Sequence, residues 1–444
     1  MNGFSTIFLI VNSSLLLGLP RKWAPLPLLI GSCYMTVGQG FDIGPFSFTV
    51  IRVLVLVGFI RIVVRGERLS GGINLIDSIV ILWGLWGLFA NLLHPHPSEF
   101  TLVYRIGMVY NVWGIYFLIR ILCGTAEEVI GIIKLTAILL VPLALEMLNQ
   151  KMTGSNSFSL LGGVSPHVTI RDGVLRAQGP FRHAILAGTV GATCFPLMIG
   201  IWSKARRFAL LGAISCAIMV FTSASSGPIA SLMAAIFALV LWKYRHLTST
   251  LCWAAVFGYV FLEIVMNRPA YYIITYADLT GSSTGWHRAR LIESAMSRLD
   301  EWWLAGTNYT RHWMPTGVSW SSNHADITNY YLSWGVKGGL LWMGLFIAIL
   351  ILSFIRVGRT IRMYNENGLA ECFLVWCFGA SLFAHAATSI SVSYFDQSFL
   401  FIFLTIGVIS SLYSTTLQAN IVTSSKEQEN AAITNASSAH TFPR

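Results

Sequence analysis

Long apolar runs separated by short polar breaks make up most of the chain. A helix crossing a membrane needs about 20 apolar residues. Stretches near 4–20, 23–39, 46–64, 73–93, 100–120, 128–148, 181–201, 206–222, 226–243, 248–267, 338–356, 368–388 and 394–415 approach that length. The pattern predicts an all-α polytopic transmembrane bundle of about twelve to thirteen spans, with no β domain. The opening stretch has neither a basic leader nor a small-residue cleavage site, so it reads as a short first span rather than a signal peptide. Two breaks are long, 149–180 and 268–335. They divide the chain into N-terminal transmembrane helices (1–148) and a core (149–415) that contains both loops. A tail (416–444) rich in Ser, Thr, Asn, Gln and Ala is expected to be disordered. No internal repeat is visible.

Composition turns this pattern into a membrane assignment. Of 444 residues, 55% are hydrophobic and 11% charged, against roughly 25% charged in a soluble domain. The 15 tryptophans suit belts at a membrane interface. The net charge of +10 does not point to nucleic acid, because the basic residues fall in alternate short loops. These loops hold Arg21 and Lys22; Arg61, Arg65 and Arg68; Arg120; Lys204, Arg206 and Arg207; Lys243 and Arg245; and Arg356, Arg359 and Arg362. Such loops face the cytoplasm. The other set, 39–44, 94–99, 150–180, 223–226, 266–335 and 389–397, then faces outward, and the C-terminus is cytoplasmic. Thirteen spans put the N-terminus outside; twelve put it inside. The seven cysteines lie in or beside apolar spans with no disulfide or zinc spacing, and read as small buried hydrophobes.

Candidate chemistry gathers in the two long loops. The second carries His287, Arg288, Arg290, Glu293, Arg298, Asp300, Glu301, Arg311, His312, His324 and Asp326. Cations, carboxylates and imidazoles at one wet rim can hold a phosphate and move a proton; the bland alternative is a solvated loop. Trp286, Trp302, Trp303, Trp313 and Trp320 are too many large apolar groups for a fully solvated segment, so the loop is expected to pack across the outer mouth as short helices. Residues 324–335 predict a short surface helix with Ile327, Tyr330, Tyr331 and Trp334 on its apolar side. His324 would start it, with Asp326 close enough to orient the imidazole, and Gly335, Gly338 and Gly339 would turn the chain into the next span. In the first loop, Arg171, Arg176, Arg182 and His183 crowd the start of an apolar span. Helix N-termini favour anions, although interfacial arginines also snorkel to headgroups. No His/Asp/Glu set has metal-ligand spacing.

Three features resemble the bacterial O-antigen polymerase and O-antigen ligase superfamily. Arg176-Ala-Gln-Gly-Pro-Phe-Arg-His-Ala-Ile-Leu-Ala-Gly188 is similar to the family's arginine–glycine segment entering a span from the periplasm. Arg288, upstream of Ala305-Gly306, is similar to the start of the large periplasmic loop. His324, followed by ten residues and Gly335, is similar to the histidine motif that ends that loop. The likeness covers roughly 165–410 in order and spacing. It departs from the family in one extra residue between Arg176 and Gly188, and in Arg182 and His183 standing where many members carry Asn and Pro, which leaves open which arginine is the functional one.

The resemblance implies a multi-pass glycosyltransferase of the bacterial inner membrane. Its donor would be an oligosaccharide on undecaprenyl diphosphate at the periplasmic face, with no metal, nucleotide sugar or other cofactor. The acceptor would be another lipid-linked repeat in a polymerase of O-antigen or exopolysaccharide, the preferred reading, or lipid A core in a ligase. A chain-length regulator would be an accessory partner. The role-by-role expectation is His324, Arg288 and Arg176 as catalytic residues, with Arg182, His183, Arg171, Arg290 and Asp326 binding substrate in one outward cavity open to lipid. The competing class is a transporter or flippase of a lipid-linked or anionic solute. It would place charge near mid-membrane and show related halves, neither of which is visible.

Overall fold

Every apolar stretch contributes to a helix. The protein is described here as a computed structural model covering residues 1–94, 99–275, 284–319, 321–364 and 368–439, the side chains of 99–100, 284, 423–424 and 426–439 excepted. In chain order the helices are α1 (Gly3–Gly18), α2 (Leu26–Tyr34), α3 (Val50–Arg65), α4 (Leu75–Phe89), α5 (Glu99–Leu122), α6 (Ala126–Thr153), α7 (Ala184–Gly200), α8 (Arg206–Thr222), α9 (Ser226–Val240), α10 (Thr248–Val265), α11 (Thr284–Ser297), α12 (Leu299–Trp302), α13 (Tyr330–Tyr364), α14 (Leu369–Ser389) and α15 (Phe399–Ala439). Among the described residues three small antiparallel hairpins stand between them: β1 (Gly40–Ile43) with β2 (Phe46–Thr49), β3 (Thr169–Arg171) with β4 (Val174–Arg176), and β5 (Gly317–Val318) with β6 (Ser321–Ala325).

Among the described residues, six helical runs are long and apolar enough to cross a membrane: Thr101–Leu122, Ala126–Thr153, Ser226–Val265, Tyr330–Tyr364, Leu369–Ser389 and Phe399–Val422. Gly3–Gly18, Leu75–Phe89 and Ala184–Gly200 are apolar but shorter. The expected stretches are longer than these helices because they include the residues that end them. Asn74 and Asp77 form a reciprocal cap on α4, and His183 caps α7. Over the expected span 23–39 only the nine residues of α2 are helical. At 1.5 Å per residue that is about 14 Å, half of a hydrocarbon core.

The loops sort to two ends of the bundle. At one end the Asn2 side chain donates to the Leu161 carbonyl (2.9 Å) and the Asn2 amide to Gln39 Oε1 (3.0 Å). There also Gln397 Nε2 donates to the carbonyls of Met35 and Pro180 (3.1 Å each), and Arg105 Nη2 to that of Ala305 (2.9 Å). At the opposite end Arg21 reaches Ser70 and Ile121, and Lys204 pairs with Glu371 at 3.1 Å. There a fully buried Arg120–Asp77 pair (3.2 Å) is satisfied by Tyr116, the Ser70 and Gly72 carbonyls and Ser414. Both partners are hydrogen-bonded on several sides, which a buried ion pair requires.

Aromatic packing joins the long loop to the bundle. Trp83 on α4 meets Trp334 and Trp342 of α13 at ring-centroid distances of 4.8 and 5.1 Å, and Tyr330 meets Tyr394 at 5.1 Å. Within the loop Leu291, Trp302, Trp313, Met314, Leu332 and Val336 bury one another as a small separate core. The loop is therefore packed as short helices plus one hairpin. Trp286 and Trp303, however, are half exposed at 52%, while Trp320 and residues 276–283 lie outside the described residues.

Two further expectations change. Six cysteines are buried and Cys252 is exposed, because no residue of α10 is buried. α15 continues as helix to Ala439 through most of the tail expected to be disordered. Its Ala, Glu, Gln and Lys content suits a helix, and extending an existing helix avoids the cost of nucleation.

Candidate functional site

The first cluster is built by the β3–β4 hairpin and the start of α7. An Asp172-Gly173 turn, both residues at positive φ (52° and 75°), closes the hairpin in the manner that suits its twist, and Thr169 pairs with Arg176. Arg171 is left exposed and paired with Asp172 at 3.6 Å. Arg176 points inward and is buried; its Nη2 donates to Ser225 Oγ at 2.5 Å, and its Nε has no hydrogen-bond partner among the described residues. Burial lowers the Arg176 pKa, and the charge of Arg171 acts in the same direction.

His183 closes the N-terminus of α7. Its Nδ1 accepts from the Ile185 amide at 3.2 Å, which requires a neutral ring. Burial first, then Arg176 and Arg171, push its pKa down to about 4. The neighbouring Arg182 side chain is exposed, while its amide donates to Asp396 Oδ2 at 2.9 Å. Burial raises the Asp396 carboxyl pKa, against hydrogen bonds from Ser398 and Arg182. Gln150 Oε1 fixes the turn before α7 by accepting from the Gln178 and Gly179 amides, each at 3.0 Å.

The second cluster lies in the long loop and differs from the sequence expectation. His324 sits in strand β6 and does not begin a helix. The helix begins at Tyr330, capped by Asn329, whose Oδ1 accepts from the Leu332 amide at 3.0 Å. Asn is among the strongest N-caps, and the alternating strand contacts of 321–325 claim His324 first. Its ring is held by Ser321 Oγ, 2.7 Å from Nδ1, rather than by Asp326, and burial lowers its pKa. Asp326 reaches solvent, yet the surrounding protein raises its carboxyl pKa, opposed by nearby His287. The Nε2 of His287 is buried without a hydrogen-bond partner among the described residues. Arg288 is half-buried on α11. Arg290 is exposed and pairs with Glu293 at 2.6 Å, which also accepts from Tyr272 at 2.8 Å. The expected break after the helix occurs at Gly338 and Gly339, where φ reaches +85° at Gly339, while Gly335 is helical and lies against Trp302.

One segment touches both clusters. In 390–398, Ser393 Oγ donates to the Ile327 carbonyl at 2.6 Å, Asp396 holds Arg182, and Gln397 holds Pro180. The turn before α7, at Pro180 and Arg182, and the segment after β6, at Ile327, thus share one support. Arg171 and Arg290 are engaged in exposed ion pairs of their own. Sequence reasoning missed Ser225, Ser321, Asp396 and Gln397. The only signal was the abrupt Asp-Gln pair between two apolar helices. An open pocket of 640 Å³ lies at the opposite end of the bundle, and a 10 Å³ cavity lies beside Met35 and Thr49; neither is lined by Arg176, Arg182, Arg288 or His324. Among the described residues no three His, Cys, Asp or Glu side chains gather as a metal site. Chemically, the arrangement offers buried and half-buried guanidinium groups for an anion, and weakly basic imidazoles for a proton. No protein-family model matches the chain, and no curated protein matches it in sequence.

Proposed function

We propose that the protein is a polymerase of a bacterial surface polysaccharide. It would transfer glycan from an undecaprenyl-diphosphate-linked donor to a lipid-linked repeat at the periplasmic face of the inner membrane. The observation that carries this reading is the buried, incompletely partnered Arg176 near the capping His183, on a segment whose Arg182 amide is held by the same 390–398 stretch that holds the Ile327 carbonyl, three residues after His324. A diphosphate leaving group needs its developing charge met by cations rather than by a strong acid, and guanidinium offers a forked contact with phosphate oxygens. In this reading Arg176 and Arg288 grip the diphosphate, while Arg182 and His183 line its approach.

The acceptor hydroxyl needs a base of near-neutral pKa, and His324 takes that role. Ser321 Oγ would then accept the Nδ1 proton, so that Nε2 is the basic nitrogen of the ring. The charge rule would put the Arg176 end of the bundle at the periplasmic face.

The test uses His324→Asn in cells that supply lipid-linked repeats. Asn329, not His324, caps the helix, so Asn at 324 removes a base without removing a cap. Long-chain product should fall about 10²–10⁴-fold at unchanged protein level in the membrane. Near-normal product would leave the arginines as the only catalytic groups. Product attached to lipid A core instead of to a longer lipid-linked chain would replace polymerase with ligase.

A further inference from the structure

The 640 Å³ pocket lies at the end of the bundle away from Arg176 and His324, where residues 65–72 face α15. Its volume falls within the roughly 300–1,000 Å³ of small-molecule sites. Arg21, Arg65 and Arg68 line it, with Glu67 as the one acid in its wall. Glu67 does not neutralise them, because both its oxygens are taken by the buried Arg61 (Nη2–Oε1 2.7 Å). Arg65 is committed to the carbonyls of Leu17, Gly18 and Leu19. Arg21 donates to Ser70 and Ile121, while its Nε is buried with no hydrogen-bond partner among the described residues and only a loose 3.9 Å approach to Glu128. Arg68 is exposed with no hydrogen-bond or ion-pair partner among the described residues. The Arg120 guanidinium holds the pocket loop from below through the Ser70 and Gly72 carbonyls (2.7 and 2.6 Å) and ties it to Ser414 of α15 (2.9 Å). The cavity is therefore positively charged, rigidly floored and short of acceptors.

We propose that this pocket binds a phosphate group, held by Arg21 and Arg68. Basic residues that only set orientation need no cavity, whereas basic pockets between membrane helices suit phosphate headgroups. The same chemistry is offered by the headgroup of an anionic phospholipid and by a soluble phosphate.

Full-length protein in phosphatidylcholine nanodiscs is titrated with inorganic phosphate, chloride serving as the reference ion. In a second arm, nanodiscs carry phosphatidylglycerol or phosphatidylcholine, and lipid retained on the protein is read by native mass spectrometry. Binding in the first arm assigns a soluble phosphate, and selective retention in the second assigns a headgroup. Arg68→Gln should weaken whichever binding is seen by about tenfold, the size of one charge-assisted contact, and Arg207→Gln, an exposed charge elsewhere, should leave it unchanged. Arg68 supports no other residue among those described, so a folding defect is not expected. The proposal is overturned if neither probe binds above its reference, or if Arg68→Gln binds as wild type does.

Discussion

Lowering the pH should destabilise the protein through His183. The folded ring sits near pKa 4, below its ordinary value of 6.5, because burial, the neighbouring arginines and the cap to Ile185 all require the neutral form. Between those two values the unfolded chain binds more protons than the folded one, so stability is full above about pH 6.5, declines as pH falls, and levels off below about 4. The separation between 6.5 and about 4, at about 1.4 kcal/mol for each tenfold change in proton affinity, gives a full loss of about 3.5 kcal/mol. His183→Asn provides the control. Asn can accept from the Ile185 amide as a cap and has no proton to gain. Asp396, raised in the fold, acts with the opposite sign, and it is present in both proteins and cancels in the comparison. At pH 4.5, still above the folded value, about 2.5 kcal/mol of that loss is realised, so in detergent between pH 7.5 and 4.5 the apparent Tm of wild type should fall about 5 °C further than that of the variant, taking about 2 °C per kcal/mol. Equal falls would mean that His183 is not held neutral by its surroundings, and the electrostatic picture of this cluster would be wrong.

Other outcomes follow from single contacts. Arg120→Met leaves Asp77 buried and unpaired, which costs about 3–5 kcal/mol; detergent-extracted protein should lose its monodisperse peak, and adding Asp77→Leu should restore part of it. Gly339→Ala must place a Cβ against the Leu304 carbonyl at φ +85°, a strain of a few kcal/mol. Its sign is faster proteolytic nicking within 284–329 while the helical bundle stays intact. Arg176→Lys keeps the charge but not the fork, so polymer yield should drop at least about tenfold, the worth of one charge-assisted bond, with no change in protein level.

The long apolar elements were legible in the sequence because their signal accumulates over many residues, as in α6, α13 and α14. The three hairpins were not, since strands of two to five residues carry no usable periodicity. His324 illustrates the limit. Its neighbours Tyr330, Tyr331 and Trp334 do form the apolar side of a helix, but the start of that helix is fixed by Asn329, a local cap whose competition with the strand cannot be weighed from composition. The candidate site was legible as a set of residue types near two loop ends. That Arg176 is buried and Arg182 exposed, six residues apart, follows from hairpin register and from Asp396, more than 200 residues away in sequence. Pairings at such separation leave no local trace.

The central claim concerns bond cleavage at a lipid diphosphate, and the direct measurement is turnover by the purified protein. Reconstituted protein is given an undecaprenyl-diphosphate-linked oligosaccharide with a chelator present, and both released undecaprenyl diphosphate and glycan length are followed. The proposal predicts one free lipid diphosphate per repeat added, undiminished by the chelator. Intact donor crossing the bilayer without any release of lipid diphosphate would contradict it and identify a transporter instead.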